Sequence, residues 1–197
     1  MSTENFRDWA KEPDGDELRR AYDLLATAPA DALVALKGLA KRGSVMSMLY
    51  IAEACRKGMG TNVDLVQAQD WYRRAANCGS IPASYELGRI LFELKNYAKS
   101  KEAFDVGEAH DYAPSINMLG MMYLRGLSVE KNISRARELL ERASGLGHVF
   151  AKRNLAGLLM RGAYGPLGFL RGVGLFLVAV KDTLTIVLND PLSDRLR

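Results

Sequence analysis

Apolar and small residues alternate with polar ones along this chain at helical spacing, and the same arrangement returns four times. Counted from Ser47, Ala83, Ser115 and Ala151, the fifth and sixth positions read Ile51-Ala52, Leu87-Gly88, Leu119-Gly120 and Leu155-Ala156, a large apolar residue followed by a small one. The twelfth position reads Gly58, Leu94, Gly126 and Gly162. Further on, Ala68-x-x-Trp71-Tyr72 lines up with Ser100-x-x-Ala103-Phe104 and Ala136-x-x-Leu139-Leu140, and the unit closes on Gly79, Asp111 and Gly147. A half-unit, Ala32 to Gly43, precedes them, with Ala35-Leu36 and Ala40 in the places of Trp71-Tyr72 and Ala76. A fixed period of this length marks stacked repeats.

Each repeat predicts two helices. Apolar residues at positions one, five and nine make a stripe at helical spacing, and the small residue at six lets a neighbouring helix come close. Glycine at twelve ends the first helix, since it enters the left-handed conformation without steric penalty. Asp64 and Asn132 are N-cap residues of the second helix, their side chains accepting from otherwise unpaired amides. Successive starts lie 36, 32 and 36 residues apart, and the short interval is explained where Phe92 to Asn96 replaces a glycine loop. The register predicts Trp71, Tyr72, Leu87, Leu119, Tyr123 and Leu155 between helices.

The order small-x-x-x-Leu-Gly-x-x-Tyr-x-x-Gly, a glycine loop, Asp, then Ala-x-x-Trp-Tyr-x-x-Ala-Ala-x-x-Gly resembles the sel-one-like repeat family, relatives of tetratricopeptide repeats. It is carried by Asp64, Ala68, Trp71, Tyr72, Ala75, Ala76 and Gly79 in one repeat and by Leu119, Gly120, Tyr123 and Gly126 in another. Cys55, Leu91 and Leu159 stand where the family has tyrosine. The resemblance implies an all-α, right-handed α-solenoid and a role as adaptor, often in bacterial signalling or envelope processes. The domains expected are N-terminal capping helices over 1–29, the repeat solenoid over 30–166, and an apolar C-terminal capping helix and tail over 167–197.

A short helix is expected over residues 3–11, then a turn at Pro13-Asp14-Gly15 and a helix from Asp16 to Thr27 with Leu18, Tyr22 and Leu25 along one side; these cap the first repeat, which has no neighbour of its own. At 197 residues the chain allows one elongated domain or two small ones. The opening MSTENFRDWAKEPDGDELRR lacks the basic start and apolar run of a signal peptide, so a cytoplasmic chain is expected. Secreted family members staple their helices with a disulfide, but here Cys55 and Cys78 lie near opposite ends of an antiparallel pair, about 15 Å apart, and free buried thiols are expected.

Candidate chemistry changes little. His110 and His148 fall in turns between repeats without partners at metal spacing, and are read as surface residues; no metal or other cofactor is expected. Glu53, Glu86, Glu93, Glu138 and Glu141 are read as solvated carboxylates beside Lys or Arg, not a hydrolytic pair. A net charge of +4 is spread among acidic residues, which argues against nucleic acid.

What remains is a non-enzymatic protein-interaction scaffold. In tetratricopeptide-like stacks the first helices line the concave side, and positions three, seven, ten and eleven turn inward. They include Leu49, Glu53, Arg56 and Lys57 in the first repeat, and Leu124 and Met160 later. The residues assigned to a partner, protein or peptide with acidic side chains, are Tyr85, Arg89, Phe92, Asn117, Met121, Arg125, Arg153 and Arg161. The rival readings are an envelope or peptidoglycan-related hydrolase and a membrane-associated adaptor. The second arises from Leu167 to Leu188, mostly apolar with Arg171, Lys181, Asp182, Thr185 and Asn189 on one strip. Its uncharged run, Gly172 to Val180, has nine residues where about twenty are needed to span a bilayer. The expected role is a cap whose remaining apolar surface pairs with a second copy or another protein, with contact to a membrane left open.

Overall fold

The computed structural model describes residues 12–163 and 165–189. The helix expected over 3–11 lies outside them. The described residues are all-α, in ten helices, and divide between Lys95 and Asn96 into two compact units. The domain limits expected at 29/30 and 166/167 fall inside these units.

The N-terminal unit holds α1 (Gly15–Leu24), α2 (Pro29–Lys41), α3 (Val45–Lys57), α4 (Leu65–Asn77) and α5 (Ile81–Glu93), each packed on the next. Leu18 of α1 is fully buried in one apolar cluster with Leu36 and Leu39 of α2. Arg42 at the end of α2 pairs with Asp14 at 2.8 Å and Glu17 at 2.5 Å. Asp64 caps α4 by accepting from the amides of Val66 and Gln67. Gly58, with φ of 75°, ends α3.

The C-terminal unit holds α6 (Tyr97–Ala109), α7 (Ala113–Arg125), α8 (Ile133–Gly145), α9 (Val149–Leu158) and α10 (Gly165–Asn189). Arg142 of α8 reaches the turn after α6, donating to Asp111 and to the Glu108 carbonyl. Asn132 caps α8 through the Arg135 amide at 2.9 Å. Gly126, with φ of 70°, ends α7. The glycine of the fourth repeat acts differently: α9 passes into a π-helical turn, Leu159–Ala163, that contains Gly162, and the left-handed residue is Gly165, where α10 begins.

Burial follows the repeat closely. The four starting residues Ser47, Ala83, Ser115 and Ala151 have no exposed surface, nor do Ala68, Ser100 and Ala136 in the second helices. Tyr72, Leu119 and Leu155 are buried as expected, whereas Trp71, Leu87 and Tyr123 are only half-buried; the Arg74 guanidinium lies over the outer face of Trp71 at 4.6 Å. Position three departs from the expected direction. Leu49, Tyr85 and Asn117 are buried there, and Arg153 alone of the four is exposed; Asn117 is covered by Asn154, which donates to its Oδ1.

Three further expectations change. His148 is buried, not on the surface, and its Nδ1 accepts from the Ala151 amide at 3.0 Å, which makes it the N-cap of α9. Both cysteines are free, but Cys78 is exposed and only Cys55 is buried, where burial pushes its thiol pKa up. Glu86 is buried, not solvated, and Glu53 is half-buried.

Helix α10 has 25 residues and, among the described residues, is the one helix long and apolar enough by length and composition to cross a membrane. Its uncharged run is the nine residues from Gly172 to Val180. Gly172 and Ala179 are its buried residues, set against α9 and the π turn. A Cβ on Gly172 would lie 2.8 Å from Met160 Cγ and 2.9 Å from the Ala156 carbonyl, so the small residue lets α10 approach the α9 backbone closely.

Candidate functional site

Positions seven and ten of the four repeats are half-buried and position eleven is exposed throughout, which gives each unit a row of accessible side chains on its first helices. The two rows differ in how their charges are used.

In the N-terminal unit the charges are paired among themselves. Glu53 accepts from both Arg56 nitrogens at 2.8 and 2.7 Å, from Lys57 at 2.8 Å and from the Tyr72 hydroxyl at 2.9 Å. Burial alone would push the Glu53 carboxyl up, and the hydrogen bonds from Arg56, Lys57 and Tyr72 more than offset this, holding it at about 2. A hydrolytic general acid needs the opposite shift. The buried Tyr72 hydroxyl is raised, first by desolvation and then by Glu86 and Glu53. Arg89 pairs with Glu86 at 2.9 Å and its guanidinium stands 5.8 Å from the Tyr85 ring centroid. Of the expected partner residues here, Tyr85 is buried, and Arg89 and Phe92 are half-buried.

In the C-terminal unit the row opens into a cavity of about 500 Å³. Met121, Leu124, Leu158 and Met160 give it an apolar floor, and Phe176 of α10 closes one side. Arg125, Lys131, Arg153 and Arg161 line it, and among the described residues no carboxylate does. Among the described residues none of these four cations takes part in an ion pair; the Arg153 guanidinium lies 4.8 Å from the Phe150 ring. Asn154, also in the wall, donates its amide to Asn117 Oδ1 at 2.9 Å, so the buried Asn117 positions a wall residue from behind.

Four of the eight expected residues, Met121, Arg125, Arg153 and Arg161, are therefore brought together around one cavity, and Asn117 supports it. Tyr85, Arg89 and Phe92 belong to the other unit. Reading first helices alone missed Lys131 and Ile133, which enter from the start of the second helix and the loop before it, and Phe176, which enters from α10.

Against known proteins, residues 45–80 and 113–148 match the model of the Sel1 repeat. These segments are Sel1 repeats. The matched segments are α3 with α4 and α7 with α8, each with its flanking turns. The chain aligns with the Sel1 repeat protein of Oxalobacter formigenes at a TM-score of 0.75, with 20% identity, over 87% of this chain and 76% of that one, which fixes the solenoid fold. In sequence it is 29% identical to an F-box protein of Arabidopsis thaliana over 85% of its length. It is 31% identical over 74 residues, 38% of its length, to HRD3 of Candida glabrata, an ERAD-associated E3 ubiquitin-protein ligase component. The chain spans 52% of the F-box relative and 9% of HRD3. Sel1 repeats are in general protein-interaction modules, and typically scaffolds instead of enzymes.

Proposed function

We propose that this protein is an adaptor that grips an acidic, partly apolar segment of a partner protein in the cavity of its C-terminal unit. The observation that carries the reading is the lining: an apolar floor ringed by Arg125, Lys131, Arg153 and Arg161 with no carboxylate among the described wall residues. An Asp or Glu entering this ring makes charge-assisted hydrogen bonds with arginines that hold no ion pair with a described residue, while a Leu or Phe beside it covers Met121, Leu124 and Met160. A segment of that kind, docked as a helix or an extended strand of chain, is a common mode of peptide recognition. HRD3, named as a component of a ligase assembly, supports reading the repeats as an assembling surface. The free thiols of Cys55 and Cys78 fit the reducing, cytoplasmic setting that we infer.

The test is selection of peptides on the whole protein from a random display library. Enriched peptides should carry Asp or Glu next to Leu, Met or Phe, and Arg125→Glu with Arg153→Glu and Arg161→Glu should abolish their binding while the far-ultraviolet circular dichroism stays unchanged. Peptides that bind the triple variant equally well would overturn the assignment of the cavity.

A further inference from the structure

The outward side of α10 carries a pattern that the repeat does not explain. Its inward side is settled by the buried Gly172 and Ala179 against α9 and the π turn. Beside that contact, Leu170, Val173, Leu177, Val180, Leu184 and Val187 follow one another at alternating steps of three and four residues, leucine at the first of each pair and valine at the second, with Val173 half-buried and the others exposed. This is a heptad seam, the spacing with which one helix packs its side chains between those of another. Leu170, Leu177, Val180, Leu184 and Val187 are 64%, 63%, 43%, 59% and 50% exposed. From Leu170 to Val187 the seam runs about 26 Å.

We propose that this seam pairs with the same seam on a second copy of the chain. Ten large apolar side chains of α10 stand exposed. Without Phe176, which walls the cavity, and Val178, which lies off the seam, the other eight at roughly 100 Å² each make a face on the order of 800 Å², beyond the 300–600 Å² of the largest patch on a typical monomer and equal to the ~800 Å² that each partner gives to a standard interface. An isologous contact needs only one self-complementary patch, and this one is continuous and uniform in composition along its length. A bilayer fits less well. Lipid is the same on every side of a helix and gives no reason for a three-four alternation of leucine and valine. A span would also tear Asp182 from Lys152 and empty the close contact at Gly172. An interfacial helix shows a broad basic face, whereas here Arg171 and Lys181 are the cations of α10.

Sedimentation velocity and light scattering on the full chain, from about 1 to 100 µM, test this. The unchanged chain should form dimers. Leu177→Glu with Leu184→Glu, both at exposed sites, should weaken association about 100-fold or more with helicity unchanged. Val178→Lys, exposed on α10 but off the seam, should still dimerise. A monomeric unchanged chain at every concentration, undiminished association of the double variant, or equal dissociation by Val178→Lys would overturn the proposal. If the monomeric chain instead floats with phosphatidylcholine–phosphatidylglycerol vesicles and the double variant does not, the face belongs to a bilayer.

Discussion

Lys152 on α9 and Asp182 near the middle of α10 are joined by an ion pair at the edge of the helix contact, with the lysine the more buried of the two. Asp182 is the one acidic residue of α10. Lys152→Met leaves that carboxylate half-buried and unpaired, and should cost about 1 kcal/mol, seen as a lower melting temperature and faster amide exchange in α10. Adding Asp182→Leu should recover most of the loss. A double variant less stable than Lys152→Met would show that the pair matters for more than charge balance.

The two glycines of α10 at 172 and 174 make an internal contrast. Alanine at Gly172 would press on Met160 and the Ala156 carbonyl, while nothing stands within 4 Å of a Cβ on Gly174. Gly172→Ala is therefore expected to destabilise by about 1–3 kcal/mol, and Gly174→Ala to stabilise by about 0.5–1 kcal/mol through helix propensity. Chemical denaturation of both variants checks the pair of signs together.

Gly120 of α7 faces Leu140 of α8, whose Cγ would lie 3.0 Å from an added Cβ. Gly120→Leu should force the two helices apart at a cost of about 1–3 kcal/mol. An unchanged thermal melt would count against the repeat register.

Glu53 makes acid stability a local matter. Its folded pKa of about 2 lies below the ordinary 4.5, so its contribution is complete above the ordinary value and is lost as pH falls through about 2. The shift corresponds to up to about 3 kcal/mol. Glu53→Gln should be less stable than the unchanged chain at pH 7, and the gap should close between about pH 5 and pH 2. A gap independent of pH would mean that shape, not charge, holds the Arg56, Lys57 and Tyr72 donors.

The buried His148 predicts a cap effect. It stands in the repeat position held by Ser44 and Ser80, which cap α3 and α5 by accepting from Ser47 and Ala83. His148→Ala should cost about 1 kcal/mol, and His148→Ser should restore the hydrogen bond but not the packing against Phe150. Melting curves of the two variants separate the contributions.

Much of this was legible because a repeat reports each residue's environment several times. Ser47, Ala83, Ser115 and Ala151 share one burial because they share one contact, and Asp64 and Asn132 cap because side-chain capping is local. The register failed where a neighbouring helix decides the outcome. Leu49, Tyr85 and Asn117 are buried where the register turned them outward, and Asn117 is covered by Asn154 of α9, a residue of the following repeat that no spacing within its own repeat reveals. The cavity was half legible for the same reason: Arg125, Arg153 and Arg161 follow from the register, but Lys131 and Phe176 arrive from other elements. His148 was misread because imidazole is rarely a helix cap, and no spacing signals it.

Packing in both units is chiefly between helices consecutive in the chain, which has a consequence for how the protein is made. Such low contact order lets each helix dock on the one synthesised before it, without waiting for a distant strand of chain. The order of synthesis is then the order of assembly. Helix α10 emerges roughly 30 residues behind α9, a delay of a few seconds at ordinary ribosome speeds. During that interval the shelf around Met160 and Ala156 is bare and the cavity lacks its Phe176 wall. Whatever the cavity holds, a nascent chain acquires the ability to hold it only once α10 has docked.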